Sequence, residues 1–505
     1  MLKIKNIGRK IVFLAILVLA FLLRAQEAIS GNFLFLLDQG RDMMAVKGIV
    51  FDHHLTLIGP NTSLQGVFQG PLWYYLLSVP AILLKGNPWG GILLMLLISM
   101  SVLVVVYFWA KKNFGIKAAL LMTFLFAVSS EAAAAATYSW NPHPMWLMTV
   151  VYIICFYNLI FVSKKYHLLL WPVIGLMFNF ETALAVFILI STFIYLVIFN
   201  RKLLATRYFL IGIVLFSVTF SPQMLFDLRH NFLMTKAVLN VFLGHDRGLF
   251  VGGENIGYLN LINGHIWEVY NNFRSSFMQY GYLSYLPNIF LGIIIGSFMM
   301  LVSFKNTIFS EKEGNFLKTL MYLVIIIIFL ILIYPYPIRY WFLTGFQSFY
   351  IVIFGLVLSK FLRNNVLKIL LSLLVVSIIY YSMQRINILY FNQPNDGGTA
   401  KINGKLSALD FIYKDAVDKN FNLLVFTPPV YTDAYDYLIW WYGKEKYNYI
   451  PRKEKTGTFY LLMEVDPNKP TSYNGWMETV IKTGNVISTK TLPSGFIVQK
   501  RIIDL

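Results

Sequence analysis

The stretch LLDQGRDMMAVKGI (36–49) places two carboxylates, Asp38 and Asp42, four residues apart with Arg41 beside them. If the stretch is helical, both acids share one face. A carboxylate at a partly dehydrated boundary can take a proton from a hydroxyl nucleophile, because lost solvation raises its pKa toward a useful range. The plainer alternative is a solvated helix with an internal ion pair. His53 and His54 in FDHHLT (51–56) could join Asp42 or Asp52 around a divalent metal. Against that, adjacent residues of a strand point to opposite faces, and no further spaced ligands are evident.

Other polar groups interrupt apolar sequence, where they are costly and therefore candidates for function. Glu131 and His143 lie in SSEAAAAATYSWNPHPMW (129–146) and could line a substrate pocket, although a histidine between two prolines also suits a plain turn. Glu181, in FNFETALA (178–185), separates two apolar runs. SPQMLFDLRHNF (221–232) groups Asp227, Arg229 and His230. The planar fork of an arginine can donate two hydrogen bonds to one phosphate, whereas an Asp227–Arg229 surface pair would have no chemical role. YPYPIRYWFLTG (334–345) carries Arg339 and Tyr340, either phosphate ligands or members of an interfacial Arg-Tyr-Trp belt. The sequence contains no P-loop, dinucleotide fingerprint, nucleophile elbow or HExxH motif, which argues against ATP-driven chemistry.

Such residues need elements to hold them, and the composition says where those elements lie. Of 505 residues, 57% are hydrophobic and 13% charged. The mean hydropathy of +0.63 is beyond what a water-soluble domain shows. The formal charge of +18 is spread in short clusters between apolar runs, a pattern of membrane topology rather than of a nucleic-acid surface. Runs near 11–23, 90–110, 116–131, 144–163, 166–180, 182–199, 207–226, 287–304, 317–334, 340–360 and 364–382 predict about eleven spans, the first read as an uncleaved helix. The single cysteine, Cys155, lies in one of these runs and excludes an intrachain disulfide.

Lys and Arg crowd alternate loops. Lys111, Lys112, Lys164, Lys165, Arg201, Lys202, Lys360 and Arg363 share a side with the basic N-terminus, which the positive-inside rule makes cytoplasmic. The longer loops 24–89 and 227–286 then face outward. The alternation requires 72–84 (LWYYLLSVPAILL) to be re-entrant or interfacial, lying against the outer leaflet. Residues 1–385 form the expected membrane domain. From 386 to 505 hydropathy collapses, and 421–426, 458–465 and 496–502 read as strands with a helix at 433–441. That region is expected to be a small exoplasmic α/β domain.

The order of parts resembles the GT-C glycosyltransferases. An acidic motif follows the first helix, then a Pro-containing Leu/Tyr-rich interfacial helix, many spans and an outer C-terminal domain. Over most of residues 1–385 the chain is similar to the group containing protein O-mannosyltransferases and lipid A aminoarabinose transferases. In that group an Asp-Glu pair opens the first loop and a Lys-Pro-Pro-Leu-Tyr-Tyr segment follows. Here DQGRD sets Asp38 on the Asp with Gln39 replacing the Glu, and QGPLWYY (69–75) sets Gln69 where the Lys stands. An acid near the start of the fourth span has its counterparts in Asn141 and His143, and Arg339-Tyr340 matches a basic-Tyr motif that contacts the donor phosphate.

The resemblance implies an α-helical polytopic membrane protein of GT-C type in the cytoplasmic membrane. It would move a sugar from a polyprenyl-phosphate donor to a lipid, glycan or protein acceptor on the outer face, in contact with membrane lipids and not with nucleic acid. Asp38 is the implied catalytic base. Arg41, Asp42, Glu131, His143, Glu181, Arg229, His230, Arg339 and Tyr340 are the implied substrate-binding groups. The resemblance fixes no cofactor, and the two glutamines leave a divalent metal open. A transporter or flippase of lipid-linked sugars and an inactive scaffold are the alternatives.

Overall fold

The computed structural model describes residues 2–243, 257–277, 286–303, 308–392, 398–417, 420–466 and 468–503. The chain is mostly helical. Its longer helices up to residue 229 are α1 (Leu2–Leu22), α2 (Leu37–Val50), α3 (Leu72–Leu83), α4 (Trp89–Phe114), α5 (Ile116–Val128), α6 (Met145–Phe161), α7 (His167–Met177), α8 (Thr182–Phe199), α9 (Arg207–Thr219) and α10 (Ser221–Arg229). Then follow α11 (Tyr258–Ser275), α12 (Leu286–Ser303), α13 (Glu311–Leu332), α14 (Gln347–Phe361) and α15 (Asn365–Phe391). Each of the eleven apolar runs overlaps at least one helix among the described residues. Among the described residues, α4, α8, α13 and α15 are long and apolar enough to cross a membrane, and α9 with α10 form a pair bent by 54° that meets the same criterion together.

Helix ends depart from the hydropathy runs for local reasons. α5 stops at Val128, because Ser129 accepts a hydrogen bond from Ala132 N at 3.3 Å and starts a separate short helix, Ser130–Ala134. The run at 340–360 does not begin as an α-helix. Tyr340–Leu343 is a 3₁₀ turn, Gly345 takes φ +92°, and α14 starts at Gln347. Pro335 and Pro337, which lack N–H donors, keep the chain irregular before it. α15 continues to Phe391, past the point where hydropathy falls, because polar residues on its exposed face do not interrupt backbone hydrogen bonding.

The C-terminal region contributes α16 (Ile402–Asp415), β1 (Asn422–Phe426), α17 (Asp433–Tyr442), β2 (Gly457–Met463), β3 (Asn485–Thr491) and β4 (Ile497–Ile503). The sheet order is β1-β2-β4-β3, with β1 parallel to β2 and the other pairings antiparallel. One continuous buried cluster runs from Ile16 in α1 to Val498 in β4.

This region grips α2. Phe35 N donates to Ala400 O at 3.1 Å and Ile402 N to Phe33 O at 2.9 Å, so a short backbone pairing ends just before α2 begins. The N-terminus of α17 lies on Gly40, where any Cβ would collide with the backbone of Asp433 and Ala434. Farther along, Phe51 packs on Trp440 with ring centroids 4.9 Å apart.

Candidate functional site

The N-terminus of α2 is fixed by Gln39, whose Oε1 accepts from Leu36 N at 2.9 Å. The same amide donates from Nε2 to Ser139 O at 2.9 Å, tying α2 to the loop before α6. Helical spacing then brings Asp38 and Asp42 to either side of Arg41. Nη1 of Arg41 donates to Asp38 Oδ1 at 2.8 Å, while Nη2 and Nε donate to Asp42 Oδ1 at 2.7 and 3.0 Å.

The two carboxylates differ. Asp42 is buried, and Trp73 at the start of α3 donates to its Oδ2 at 2.7 Å. Burial raises the Asp42 carboxyl above its ordinary range, opposed by Arg41 and Trp73. Asp38 keeps a side chain 39% exposed, and among the described residues only its Oδ1 is engaged. A buried acid anchors the guanidinium and an open one faces outward, so only Asp38 has an oxygen available to a substrate proton.

Glu131 lies beyond the end of α5, in the short helix Ser130–Ala134. Asp38 and Glu131 both lie within electrostatic reach of the Tyr138 and Tyr340 hydroxyls. Aromatic rings close one side. Trp140 lies 6.3 Å from Tyr340 and 6.2 Å from Trp341, centroid to centroid. The 3₁₀ turn is held there because His265 and Asn272 of α11 hydrogen-bond to Tyr336 O and Leu343 O, each at 2.9 Å.

Of the remaining candidates, His143 packs edge-on against the Tyr138 and Trp140 rings, with centroids 4.5 and 5.4 Å apart, and the others take other positions. His143 is buried, with Nδ1 3.1 Å from Tyr138 O, and burial lowers it to about 4, so it is a neutral residue bracing the loop. Glu181 caps α8 by accepting from Ala183 N at 3.1 Å; burial pushes it up to about 8, and the hydroxyl it acts on is that of Tyr334. Arg339 is exposed and acts on Glu268 of α11. Arg229 and His230 are exposed at the end of α10, where His230 stacks on Phe226. Asp227 is not paired with Arg229. It is buried and accepts from Met234 N at 2.6 Å and Thr235 Oγ1 at 2.5 Å, at the start of the helix Leu233–Phe242.

Single-residue reading misses Trp73, Tyr138 and Trp140, although their density in QGPLWYY and TYSWNPH was visible. It also misses how three amides meet their partners. Asn141 Nδ2 donates to Gln69 Oε1 at 2.8 Å and to Phe180 O at 3.0 Å, and Gln39, Gln69 and Asn141 are all buried. Where the family pattern has charged groups, this chain has neutral donors and acceptors bonded to one another and to backbone. Among the described residues no three His, Cys, Asp or Glu side chains are grouped to hold a metal. His53 and His54 are exposed.

Residues 69–226 match the family model described as dolichyl-phosphate-mannose-protein mannosyltransferase. No curated protein matches by sequence. By fold the chain is similar to the oligosaccharyltransferase of Archaeoglobus fulgidus in complex with zinc and sulfate, with a TM-score of 0.53 and 14% identity, covering 97% of this chain and 72% of that one. Another structure, the oligosaccharyltransferase AglB of the same archaeon with an inhibitory peptide and a dolichol-phosphate, gives 0.51 and 12%, covering 98% and 74%. ArnT from Cupriavidus metallidurans bound to undecaprenyl phosphate gives 0.47 and 12%, covering 98% of each chain. The chain thus resembles the GT-C glycosyltransferases that use polyprenyl-phosphate-linked sugars.

Proposed function

We propose that the chain moves a sugar from a polyprenyl-phosphate carrier to a hydroxyl acceptor on the outer face of the cytoplasmic membrane. The observation that carries this reading is the asymmetric pair on α2: Asp42 buried and committed to Arg41 and Trp73, Asp38 open and sharing its surroundings with Glu131 and Tyr340. Asp38 Oδ2 takes the acceptor proton as the hydroxyl oxygen attacks the anomeric carbon from the side opposite the phosphate. The new glycosidic bond forms, the bond from anomeric carbon to phosphate oxygen breaks with inversion, and the lipid phosphate leaves with the electron pair. In this reading Arg339, next to Tyr340 in the chain, meets that phosphate, and Arg229 is a second cation for it. No step requires a metal.

Carriers also use broken helices, and α9–α10 is one such pair. One experiment tests both readings. Membranes containing wild type or Asp38→Asn are supplied with lipid-linked sugar, and product glycan and residual donor are measured by mass spectrometry. A transferase loses at least about a hundredfold in rate on removal of its base, by the usual size of general-base effects. Full transfer by Asp38→Asn would remove Asp38 as the base, and lipid translocation without any glycosidic product would favour the carrier.

A further inference from the structure

A cleft of about 310 Å³ opens where α3 and the end of α2 meet α17. Phe51 and Ile82 line its apolar part, Trp440 and Trp441 form a wall, and Lys85 and Lys444 stand at the rim. Glu445 also borders it, so the fixed charges are two cations against one anion. Among the described residues, neither rim lysine forms an ion pair, whereas neighbouring Lys47 is matched with Asp52 at 2.5 Å.

The rim is built rather than incidental. Lys85 adopts φ +50° and Gly86 φ +82°, a turn after α3 that a lysine takes only where its surroundings dictate it. Those surroundings include Tyr437 of α17, which donates its hydroxyl to Gly86 O. The C-terminal region therefore holds the turn that carries Lys85, and Lys85 and Lys444 border the same cleft.

On the other side the cleft continues into an apolar face. Val79, Ile82 and Leu83, at i, i+3 and i+4 of α3, are 57%, 62% and 75% exposed. A short helix with such a face lies at a lipid surface. Tryptophans and lysines above an apolar stripe are the residue types that occupy the headgroup layer.

We infer that this cleft holds an anionic phospholipid of the outer leaflet, its phosphate between Lys85 and Lys444, its glycerol against Trp440 and Trp441, and its acyl chain along Ile82 and Leu83. The site is separate from the Asp38 cluster and needs only that α3 meet lipid, so it stands or falls independently of sugar transfer. Its consequence is that membrane charge fastens α17 to α2, the helix carrying Asp38.

The test uses the intact chain in phosphatidylcholine nanodiscs doped with brominated phosphatidylglycerol or brominated phosphatidylcholine, read by tryptophan quenching. Phosphatidylglycerol should quench more, the difference should vanish in Trp440→Phe/Trp441→Phe, and Lys85→Gln/Lys444→Gln should lower the preference by roughly fivefold per lysine at low salt. Unchanged melting of the lysine variant would show that its fold is intact. Should it melt early, the same quenching comparison at raised salt on wild type replaces it, with loss of the preference expected. Equal quenching by both lipids would overturn the proposal, as would a phosphatidylglycerol preference indifferent to salt and to the lysines. Full competition by soluble glycerol phosphate would also overturn it, by making the occupant a free anion.

Discussion

At the scale of single residues, the decisive contrast is between two carboxylates one helical turn apart. Asp42 accepts three hydrogen bonds from Arg41 and Trp73 in a buried setting. Asp42→Asn leaves the half-buried Arg41 with only Asp38 as a charged partner, and charge-assisted bonds of this kind are worth about 1.5–3 kcal/mol. The variant should melt at lower denaturant or temperature by that amount and should also lose activity, since Arg41 would draw charge from Asp38. Trp73→Phe removes one such bond and should cost about half as much, read by the same melts. The local part of this arrangement was legible, because i, i+4 spacing on a helix is a property of the sequence. The long-range part was not: Trp73 stands 31 positions from Asp42, and Gln69 72 positions from Asn141. Nothing in either residue type names its partner.

A buried lysine in the C-terminal region makes a separate residue-scale prediction. Lys405 donates to Tyr435 Oη at 2.8 Å, Tyr435 donates to Glu464 Oε2 at 2.8 Å, and burial lowers Lys405 to about 8 from 10.5. The folded state therefore binds fewer protons than the unfolded chain between those values, so this lysine makes stability rise with pH across about 8 to 10.5 and fall again as pH drops through 8. Melting of wild type minus melting of Lys405→Met, followed over that window, should show the rise; parallel curves would refute it.

Elements transmit position to these residues. α2 is set from both sides, by Gln39 reaching Ser139 and by α17 lying on Gly40. Gly40→Val places a branched side chain against the backbone of Ala434, and the clash can be relieved only if α17 moves. Gly48→Val, in the same helix with open space around it, carries the same loss of glycine freedom without the clash. Transfer should fall at least about tenfold in the first variant, in line with the cost of small misplacements near chemistry. It should stay near wild type in the second, and limited proteolysis should cut the C-terminal region faster only in the first. Element positions were largely readable where hydrophobic pattern is strong, as in β1, β2, β4 and α17. β3 was not, because all seven of its residues are exposed and carry no alternation. α16 escaped because its buried face includes a lysine. The packing of α17 on Gly40 had no sequence signal beyond a glycine where helix propensity disfavours one.

At the scale of the whole molecule, burial within the bundle decides with helix length which helices can cross the membrane. α5 has 13 residues, about 20 Å at 1.5 Å per residue, against a hydrocarbon layer of about 30 Å. Most of its side chains are buried in the bundle, so it needs no full apolar exterior of its own, and the turn at Ser129 with the following short helix extends its path. Orientation then rests on charge. Arg201 and Lys202 are exposed between α8 and α9, and Val430, 68% exposed, precedes α17 in the region that grips α2. If α2 and its acids face outward, Val430 must lie on their side and Lys202 on the other. In a Cys155→Ala background, a membrane-impermeant maleimide applied to intact cells should label Val430→Cys, and label Lys202→Cys only after permeabilisation. Because the sheet region is fastened to α2 by the pairing at 33–35 with 400–402, labelling of Lys202→Cys from outside would turn α2, Asp38 and the lipid-facing stripe of α3 to the cytosol together. A single reversed result would therefore displace the proposed acceptor side as well as the leaflet.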